Sequence, residues 1–502
     1  MFGWHQIDAF AVGTTVVVLL TAIFIVEALD SRVMPDDRSL TRHASRRNFI
    51  RAGGLTVATA LAGCSSGDTS GSGDTSGSGD TSGTTMGDTT SDGTTITFWP
   101  AWGGYYEDTF SKMIANFEEK YPDITVDWSA QGSYAESRSA VFTAAKAGNA
   151  PDIAHLGKNA TILARDTGFF TPISEILPDL DLTQYLGAGR VWSTVEGTTW
   201  SLPFNNSQIL LYYNKNHFRE AGLDPEKPPT TFEEVRQYSQ QIVEQGVADN
   251  GITWPNVNWW PMSWMAEQGQ VYYNEKNGME GEPTKAFFES DAAQTLYDWW
   301  MNDLGDLYHY PGKSNWGASE KAFSQGKAAM HMNSSGGLAY LLSGFRKQGI
   351  DIGVGRLPTP NQDHNGHAAG GAQVWVTNKE SRTDAERDAI QKFLQNMTGA
   401  KQQALYSKAT GYFPAHKESV DLLEQQGFFE KNPLYRTAFD QLQSWSPGPA
   451  TGGVFSGALP RTATAVVNAT DRMWQGTSVD NALTSLDAET EDQLEFYERR
   501  DL

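Results

Sequence analysis

Residues 94–502 alternate between strand-like and helix-like spacing of apolar side chains. Apolar residues alternate in TITFW and ITVDW, as in β-strands, and recur at i, i+3, i+4 and i+7 in residues 106–120, as in a helix. PDIAHL and ILLYYN predict further strands, and capping boxes at 133–136 and 231–234 predict helix starts. This order predicts an α/β fold with parallel sheets covered by helices on both faces. Because no Pro/Gly/Ser-rich linker interrupts the region, we expect one unit, with any two lobes joined by short crossings.

Charge and cysteine content exclude several classes of function. The 502-residue chain has 38 Lys and Arg against 60 Asp and Glu, a formal net charge of −22. This acidic balance argues against nucleic-acid binding and indicates a salt-loving, haloarchaeal source. A single cysteine excludes an intramolecular disulfide, and no Cys/His cluster has zinc-ligand spacing. We therefore predict no metal, no cofactor and no nucleic-acid partner.

The first 63 residues carry signals for export. Residues 9–26 form an uncharged run just long enough for a transmembrane helix. Further along, Arg46 and Arg47 precede a shorter apolar run that ends in LAGC, a pattern typical of an export signal. Because Met34 would begin a well-proportioned signal by itself, residues 1–33 are either an additional transmembrane segment or an over-long gene start.

Residues 34–63 resemble a Tat signal that ends in the lipobox of bacterial and archaeal lipoproteins. This resemblance implies that Cys64 is the lipidated first residue of the mature chain, at the extracellular face of the cytoplasmic membrane. Residues 64–93 repeat GDTSGS and offer almost nothing apolar to bury, which predicts a disordered tether. The alternative, a core helix with an incidental cysteine, explains fewer of these features.

Motifs of catalysis are absent from the sequence. No G-x-S-x-G lies between a predicted strand and a helix, and there is no H-E-x-x-H, no Walker loop and no G-x-G-x-x-G after a strand. DHNGH, at 363–367, lies among Pro, Asn and Gly and indicates a solvated loop rather than a metal site. We therefore predict that the protein is not an enzyme. A secreted glycoside hydrolase remains the alternative, because the chain is rich in aromatic rings and carboxylates.

Aromatic and polar residues are mixed in six segments at predicted strand and helix ends. In open α/β sheets, ligands bind beyond the carboxyl ends of the strands, and aromatic faces can pack on the C–H faces of a polyol. The segments are FWPAWGGYY (98–106), PFNNSQILLYYN (203–214), WPNVNWWPMSW (254–264), MNSSGG (332–337), AAGGAQVWV (368–376) and TGYFPAH (410–416).

These segments, in this order, resemble the extracellular solute-binding proteins of carbohydrate-type ABC importers, particularly the members that bind glycerol 3-phosphate. The likeness covers residues 95–500. It implies a two-lobed periplasmic-binding-protein-like fold with a ligand cleft, a hinge and lobes that are discontinuous in sequence. It also implies a monomer that captures a sugar or glycerol phosphate and delivers it to membrane permease subunits driven by cytoplasmic ATPases. A purely structural surface lipoprotein would leave these segments without a role.

The resemblance also implies ligand contacts. They fall at Trp99, Tyr134, Ser207, Trp254, Ser334, Gly371 and Tyr412, and a gap makes Trp259 the alternative to Trp254.

Two positions depart from the family pattern. Lys158 stands where the family has a hydroxyl-binding glutamate, and Ala463 stands where it has a phosphate-side arginine. Arg461 can replace that arginine only from a loop or first helical turn, which the preceding Pro460 favours. Lys158 can contact an acidic polyol, hydrogen-bond a neutral sugar, or point to solvent.

Overall fold

The computed structural model describes residues 93–361 and 365–499. The sequence-based predictions for residues 1–33, for the signal at 34–63 with Arg46 and Arg47, and for Cys64 lie outside these residues, as does all but the last residue of the 64–93 tether. Within the described ranges, no helix is both long and apolar enough to cross a membrane.

Fourteen strands of the described residues form two larger sheets and one small hairpin. The first sheet has the order β14-β7-β13-β3-β1-β2, with β4 beside β13; the second has the order β10-β9-β11-β8-β12; and β5 pairs with β6. The strands are β1 Thr94–Trp99, β2 Ile124–Trp128, β3 Ile153–Gly157, β4 Phe170–Thr171, β5 Thr194–Val195, β6 Thr198–Thr199, β7 Leu202–Ser207, β8 Ile209–Asn214, β9 Asn250–Thr253, β10 Tyr308–His309, β11 Ala328–Ser334, β12 Ile352–Arg356, β13 Gly370–Thr377 and β14 Phe413–Pro414.

Helices separate most of these strands, as the alternating sequence pattern predicts. Short 3-10 turns at Gly104–Tyr106, Lys158–Ala160 and Ser335–Gly337 lie at strand ends. The α-helices are α1 Glu107–Lys120, α2 Tyr134–Lys146, α3 Thr161–Asp166, α4 Ile173–Ile176, α5 Gly187–Arg190, α6 Lys215–Glu220, α7 Phe232–Glu244, α8 Trp259–Glu267, α9 Asp291–Asp298, α10 Trp316–Ser324, α11 Leu338–Lys347, α12 Asp384–Met397, α13 Ala400–Thr410, α14 Lys417–Gln425, α15 Phe428–Lys431, α16 Pro433–Gln443, α17 Leu459–Trp474 and α18 Val479–Glu498.

Both predicted capping boxes are present. The Ser133 side chain accepts from the backbone of Glu136, whose carboxylate accepts from the Ser133 backbone, and this pair begins α2. Thr231 and Glu234 do the same at α7. Each pair satisfies two backbone N–H groups that a helix start would otherwise leave unpaired.

The sheets are mixed, whereas the sequence predicts parallel sheets. Strand β1 lies parallel to β2 and β3, but β13 is antiparallel to β3 and β7. In the second sheet β8 is antiparallel to β11 and β12. Strand–helix alternation along the chain reports only local connections, whereas β8 and β13 enter their sheets directly from the other sheet.

The chain passes between the sheets more than once. Gln208 alone separates β7 of the first sheet from β8 of the second, and residues 357–369 return the chain to β13. The later helix α16 packs again on the second sheet, through Ala438. We call the first sheet with the helices packed on it the first lobe, and the second sheet with its helices the second lobe. Both lobes are discontinuous in sequence, as the family resemblance implies.

Each lobe has its own apolar core. Phe98 of β1 packs with Phe110 and Phe393 in the first lobe. The second lobe buries a larger cluster that includes Trp254 and Trp300. Because each lobe is stabilised by its own buried surface, the contacts between lobes are free to serve binding.

Candidate functional site

Turns from both lobes meet where strands β1, β11 and β14 begin or end. The Tyr106 hydroxyl of the first lobe donates to the Gly336 carbonyl of the second over 3.0 Å. The Tyr134 and Tyr412 hydroxyls lie 3.0 Å apart. Burial raises the pKa of Tyr134 to about 12, so its hydroxyl stays protonated at neutral pH. Such hydroxyls can both donate to and accept from a solute.

Six rings line this meeting place, and we call them the aromatic cluster. Trp102 and Tyr134 lie 5.2 Å apart between ring centroids, and Tyr106 and Tyr412 lie 6.1 Å apart. The second lobe contributes Tyr340, whose ring centroid lies 5.5 Å from that of Tyr105. Aromatic faces of this kind can pack against the apolar faces of a sugar or polyol. The members are Trp102, Tyr105, Tyr106, Tyr134, Tyr340 and Tyr412.

The turn Ser335–Gly337 approaches the aromatic cluster closely because Gly336 has no side chain. A Cβ at Gly336 would lie 2.6 Å from Cζ of Tyr412. The Ser334 hydroxyl accepts from the Gly336 N–H over 3.0 Å and holds the turn. Glycine at this position therefore lets the second lobe reach a ring of the first.

The crossing strands border the same region. Ser207 pairs with Gly370 in the sheet, and a Cβ at Gly370 would lie 2.7 Å from both Oγ of Ser207 and the Trp259 ring. Gly371 has a φ of +108°, where a side chain would be strained. Ser335 Oγ accepts from the Gln208 N–H over 3.0 Å, which links the crossing to the Ser335–Gly337 turn.

One buried indole N–H near these turns, that of Trp259, has no acceptor among the described residues. The buried indole N–H of Trp102 faces the Tyr134 hydroxyl and acts to lower the pKa of that hydroxyl. Trp102 also has a φ of +67°, which is rare for a bulky residue, and its backbone N–H donates to the Gly132 carbonyl. Strained residues and unpaired buried donors concentrate at binding sites, where a ligand oxygen can complete the hydrogen bond.

Lys158 lies behind this region and is not exposed. Its Nζ donates to Oδ1 of Asn206 over 2.7 Å, to the Gly370 carbonyl over 2.9 Å and to the Ala369 carbonyl over 3.4 Å. Asn206 belongs to β7, Ala369 ends the 357–369 segment, and Gly370 begins β13. The chain passes between the lobes directly after β7 and along the 357–369 segment. Burial lowers the pKa of Lys158 to about 7. The structure thus corrects the solvent-pointing alternative.

Five of the nine predicted contacts lie in this region. Tyr134 and Tyr412 belong to the aromatic cluster, and Ser334 begins the turn that contacts it. Ser207 and Gly371 lie on the paired crossing strands. These five residues stay the predicted ligand contacts.

The structure does not bring Trp254 to this region. Its side chain is fully buried in the second-lobe core, with ring centroids 5.5 Å from Trp264 and 5.1 Å from Trp300. The alternative Trp259 is the tryptophan that contacts Gly370. A tryptophan-rich run cannot reveal which ring packs inward, because that choice depends on the path of α8.

Trp99 and Arg461 also lie elsewhere. Trp99 points to the sheet face opposite Phe98 and lines an open groove of about 700 Å³ formed by the first lobe alone, together with Gln131 and Glu136. Arg461 lies in the first turn of α17, as Pro460 indicates, but it is exposed and its guanidinium stacks 5.3 Å from the Phe496 ring. Neither side chain belongs to the aromatic cluster.

The 363–367 loop is only partly described, and its end is not solvated. His367 is buried and its Nδ1 lies 3.0 Å from Oε1 of Glu267. Within residues 93–361 and 365–499, no three His, Cys, Asp or Glu side chains are grouped to hold a metal ion.

Two lobes with separate cores, crossing strands and a polar-aromatic region formed by both lobes are features of a two-lobed solute-binding protein. The chain belongs to the family described as bacterial extracellular solute-binding proteins, whose model matches residues 103–404. Proteins of this family bind solutes and are not enzymes.

Known proteins agree with this assignment. The chain is 30% identical over 403 residues to the sn-glycerol-3-phosphate-binding periplasmic protein of Shigella flexneri, covering 76% of this chain and 88% of that protein. The protein of that name from Escherichia coli K12 is 29% identical over 403 residues, with the same coverage.

Solved structures share the fold at low sequence identity. The GacH receptor of Streptomyces glaucescens, solved unliganded and with acarbose, has a TM-score of 0.69 at 18% identity and covers 81% of this chain and 99% of its own. UgpB from Mycobacterium tuberculosis, solved with glycerophosphocholine, has a TM-score of 0.66 at 21% identity and covers 80% and 98%.

Proposed function

We propose that this protein is the substrate-binding subunit of an ABC importer, which captures a small polyol-type solute outside the membrane and delivers it to the permease. The observation that carries the proposal is the aromatic cluster, to which both lobes contribute rings. A solute bound there favours the arrangement in which the lobes meet, because only that arrangement offers both sets of contacts. The permease can then distinguish loaded from empty receptor.

The binding residues we propose are those at the meeting of the turns. Tyr134 and Tyr412 supply hydroxyls, Ser334 and Ser207 lie on the bordering strands, and Gly371 allows close approach of the backbone. Trp102 and Trp259 replace Trp99 and Trp254 as the tryptophans of the site.

We favour a neutral sugar or polyol over glycerol 3-phosphate. The relatives from Shigella flexneri and Escherichia coli are named for glycerol 3-phosphate, but the cations expected to hold a phosphate are engaged elsewhere in this chain. Lys158 directs its hydrogens to Asn206, Gly370 and Ala369, and Arg461 stacks on Phe496. Without a bidentate guanidinium, phosphate recognition is weak.

We also propose how the protein reaches its place of work. The twin arginines Arg46 and Arg47 and the LAGC at residues 61–64 support Tat export followed by lipid attachment at Cys64. Residues 64–93 then tether the two-lobed domain of residues 94–502 to the outer face of the cytoplasmic membrane as a monomer. The charge of −22 supports a haloarchaeal source.

Isothermal titration of the purified protein against neutral sugars, glycerol, glycerol 3-phosphate and glycerophosphocholine tests the proposal. We expect saturable binding of one compound per chain and recovery of that compound unchanged. If no compound of the panel binds, the result would count against a solute receptor. Appearance of cleaved oligosaccharide would instead support the glycoside hydrolase alternative.

A further inference from the structure

Glu320, on helix α10 of the second lobe, brings a half-buried carboxylate to the aromatic cluster. Its negative charge is the largest cause that raises the pKa of Tyr340, and it also raises the pKa of Tyr106. The geometry agrees, because Asn333, which donates to Glu320, directly precedes Ser334 and the Ser335–Gly337 turn, whose Gly336 carbonyl accepts from the Tyr106 hydroxyl. Because Tyr106 belongs to the first lobe, Glu320 lies where the lobes meet.

Neighbouring side chains fix the orientation of Glu320. Nδ2 of Asn333 donates to Oε1 of Glu320 over 3.1 Å and lies 2.9 Å from Nε2 of His331. Burial lowers the pKa of His331 to about 3, so this ring is neutral at pH 7. Its Nδ1 lies 3.3 Å from the Thr253 carbonyl, which places the proton there and leaves Nε2 as the acceptor. Glu320 is therefore held in place by one donor only.

The other oxygen of Glu320 has no partner in residues 93–361 and 365–499. No described Lys, Arg or His forms an ion pair with Glu320, and Oε2 accepts no hydrogen bond there. Burial raises the pKa of Glu320, the direction expected for a desolvated carboxylate without a nearby cation. Because Glu320 is only half-buried and Oε2 is not enclosed, a solute hydroxyl or ammonium group can reach Oε2 and donate a hydrogen bond to it.

We propose that Glu320 selects solutes by their charge. Its Oε2 accepts hydrogen bonds from a hydroxyl or ammonium group of the solute, and its negative charge excludes a phosphate monoester from this end of the site. The inference rests on the proposed function and names its substrate class, a polyol that is neutral or carries an amino group. Two like charges repel strongly in a partly desolvated site, whereas a carboxylate accepts hydroxyl donors well.

The variant Glu320→Gln tests the inference. Glutamine keeps the shape and can still accept from Asn333, but it removes the charge. Titration of wild type and variant with neutral sugars, an amino sugar and glycerol 3-phosphate should show wild-type binding of a neutral or amino compound. That binding should weaken at least about tenfold in the variant, as for loss of a charged hydrogen bond. The affinity for glycerol 3-phosphate should rise in the variant.

Glu119→Gln is the matched control, because Glu119 is exposed on α1 and its replacement changes the net charge equally. It should bind like the wild type. If the wild type binds a solute but Glu320→Gln binds it equally well, or if glycerol 3-phosphate is the preferred ligand, the inference is overturned while the proposed function stands. If the wild type binds nothing in the panel, the proposed function fails and the inference fails with it.

Discussion

Replacement of Gly336 by alanine should weaken solute binding roughly 5- to 150-fold, because overpacking destabilises the arrangement of the lobes that binds the solute by about 1–3 kcal/mol. The added methyl group would lie 2.6 Å from Cζ of Tyr412. Either the Tyr412 ring or the Ser335–Gly337 turn must then move, and the Tyr106 bond to the Gly336 carbonyl would be disturbed. Isothermal titration of the variant measures the loss.

Gly337→Ala is the control for this prediction. A Cβ at Gly337 would lie no closer than 3.6 Å to Leu341, an ordinary contact within the second lobe. This control should bind the solute like the wild type, and both variants should unfold at nearly the wild-type temperature, because each lobe keeps its own core. If Gly336→Ala binds the solute as tightly as Gly337→Ala and the wild type, the contact between the lobes at Gly336 is not needed for solute binding.

Lys158 should make the stability of the protein depend on pH between pH 7 and 9. In the unfolded chain the lysine stays protonated up to its ordinary pKa near 10.5, whereas burial lowers the folded pKa to about 7. In this window the unfolded state binds more protons, so the free energy of unfolding rises with pH, by about 2 kcal/mol from pH 7 to 9. This stabilisation is lost as the pH falls through the folded pKa.

Urea unfolding of wild type and Lys158→Met at pH 7, 8 and 9 measures this effect. The wild-type free energy of unfolding should climb across the series, and that of the variant should change by about 2 kcal/mol less. Parallel pH dependence in the two proteins would mean that Lys158 is not buried at the crossing strands. The comparison uses the change of the free energy of unfolding with pH. It is therefore unaffected by the constant loss of stability that the variant suffers because Asn206 and two carbonyls lose their donor.

Local features of the fold were predictable from sequence because they depend on neighbours along the chain. The capping boxes at Ser133 and Thr231 and the first strand and helix lie where spacing places them. The antiparallel placement of β13 was not predictable, because it depends on where a strand returns after crossing from the second sheet.

The same distinction, between features set by neighbours along the chain and features set by long-range packing, applies to the candidate site. Tyr134 and Tyr412 were predicted through the family resemblance, at GSY and TGY, and both belong to the aromatic cluster. Trp102 was not predicted, although it lies in the segment FWPAWGGYY. Alternation along β1 places Trp99 and Phe98 on opposite faces of the sheet, whereas the aromatic cluster takes Trp102 from the turn that follows β1. Glu320 was missed because only the packing of α10 on β11 brings it to Asn333, beside the turn that contacts Tyr106.

Hydrogen–deuterium exchange with and without the solute that binds in titration tests most directly the claim that both lobes hold it. We expect ligand to slow exchange together in the first-lobe segments around Trp102–Tyr106 and Tyr412 and in the second-lobe turn Ser335–Gly337. Protection confined to one lobe, or centred on the groove lined by Trp99, would contradict a solute held between the lobes.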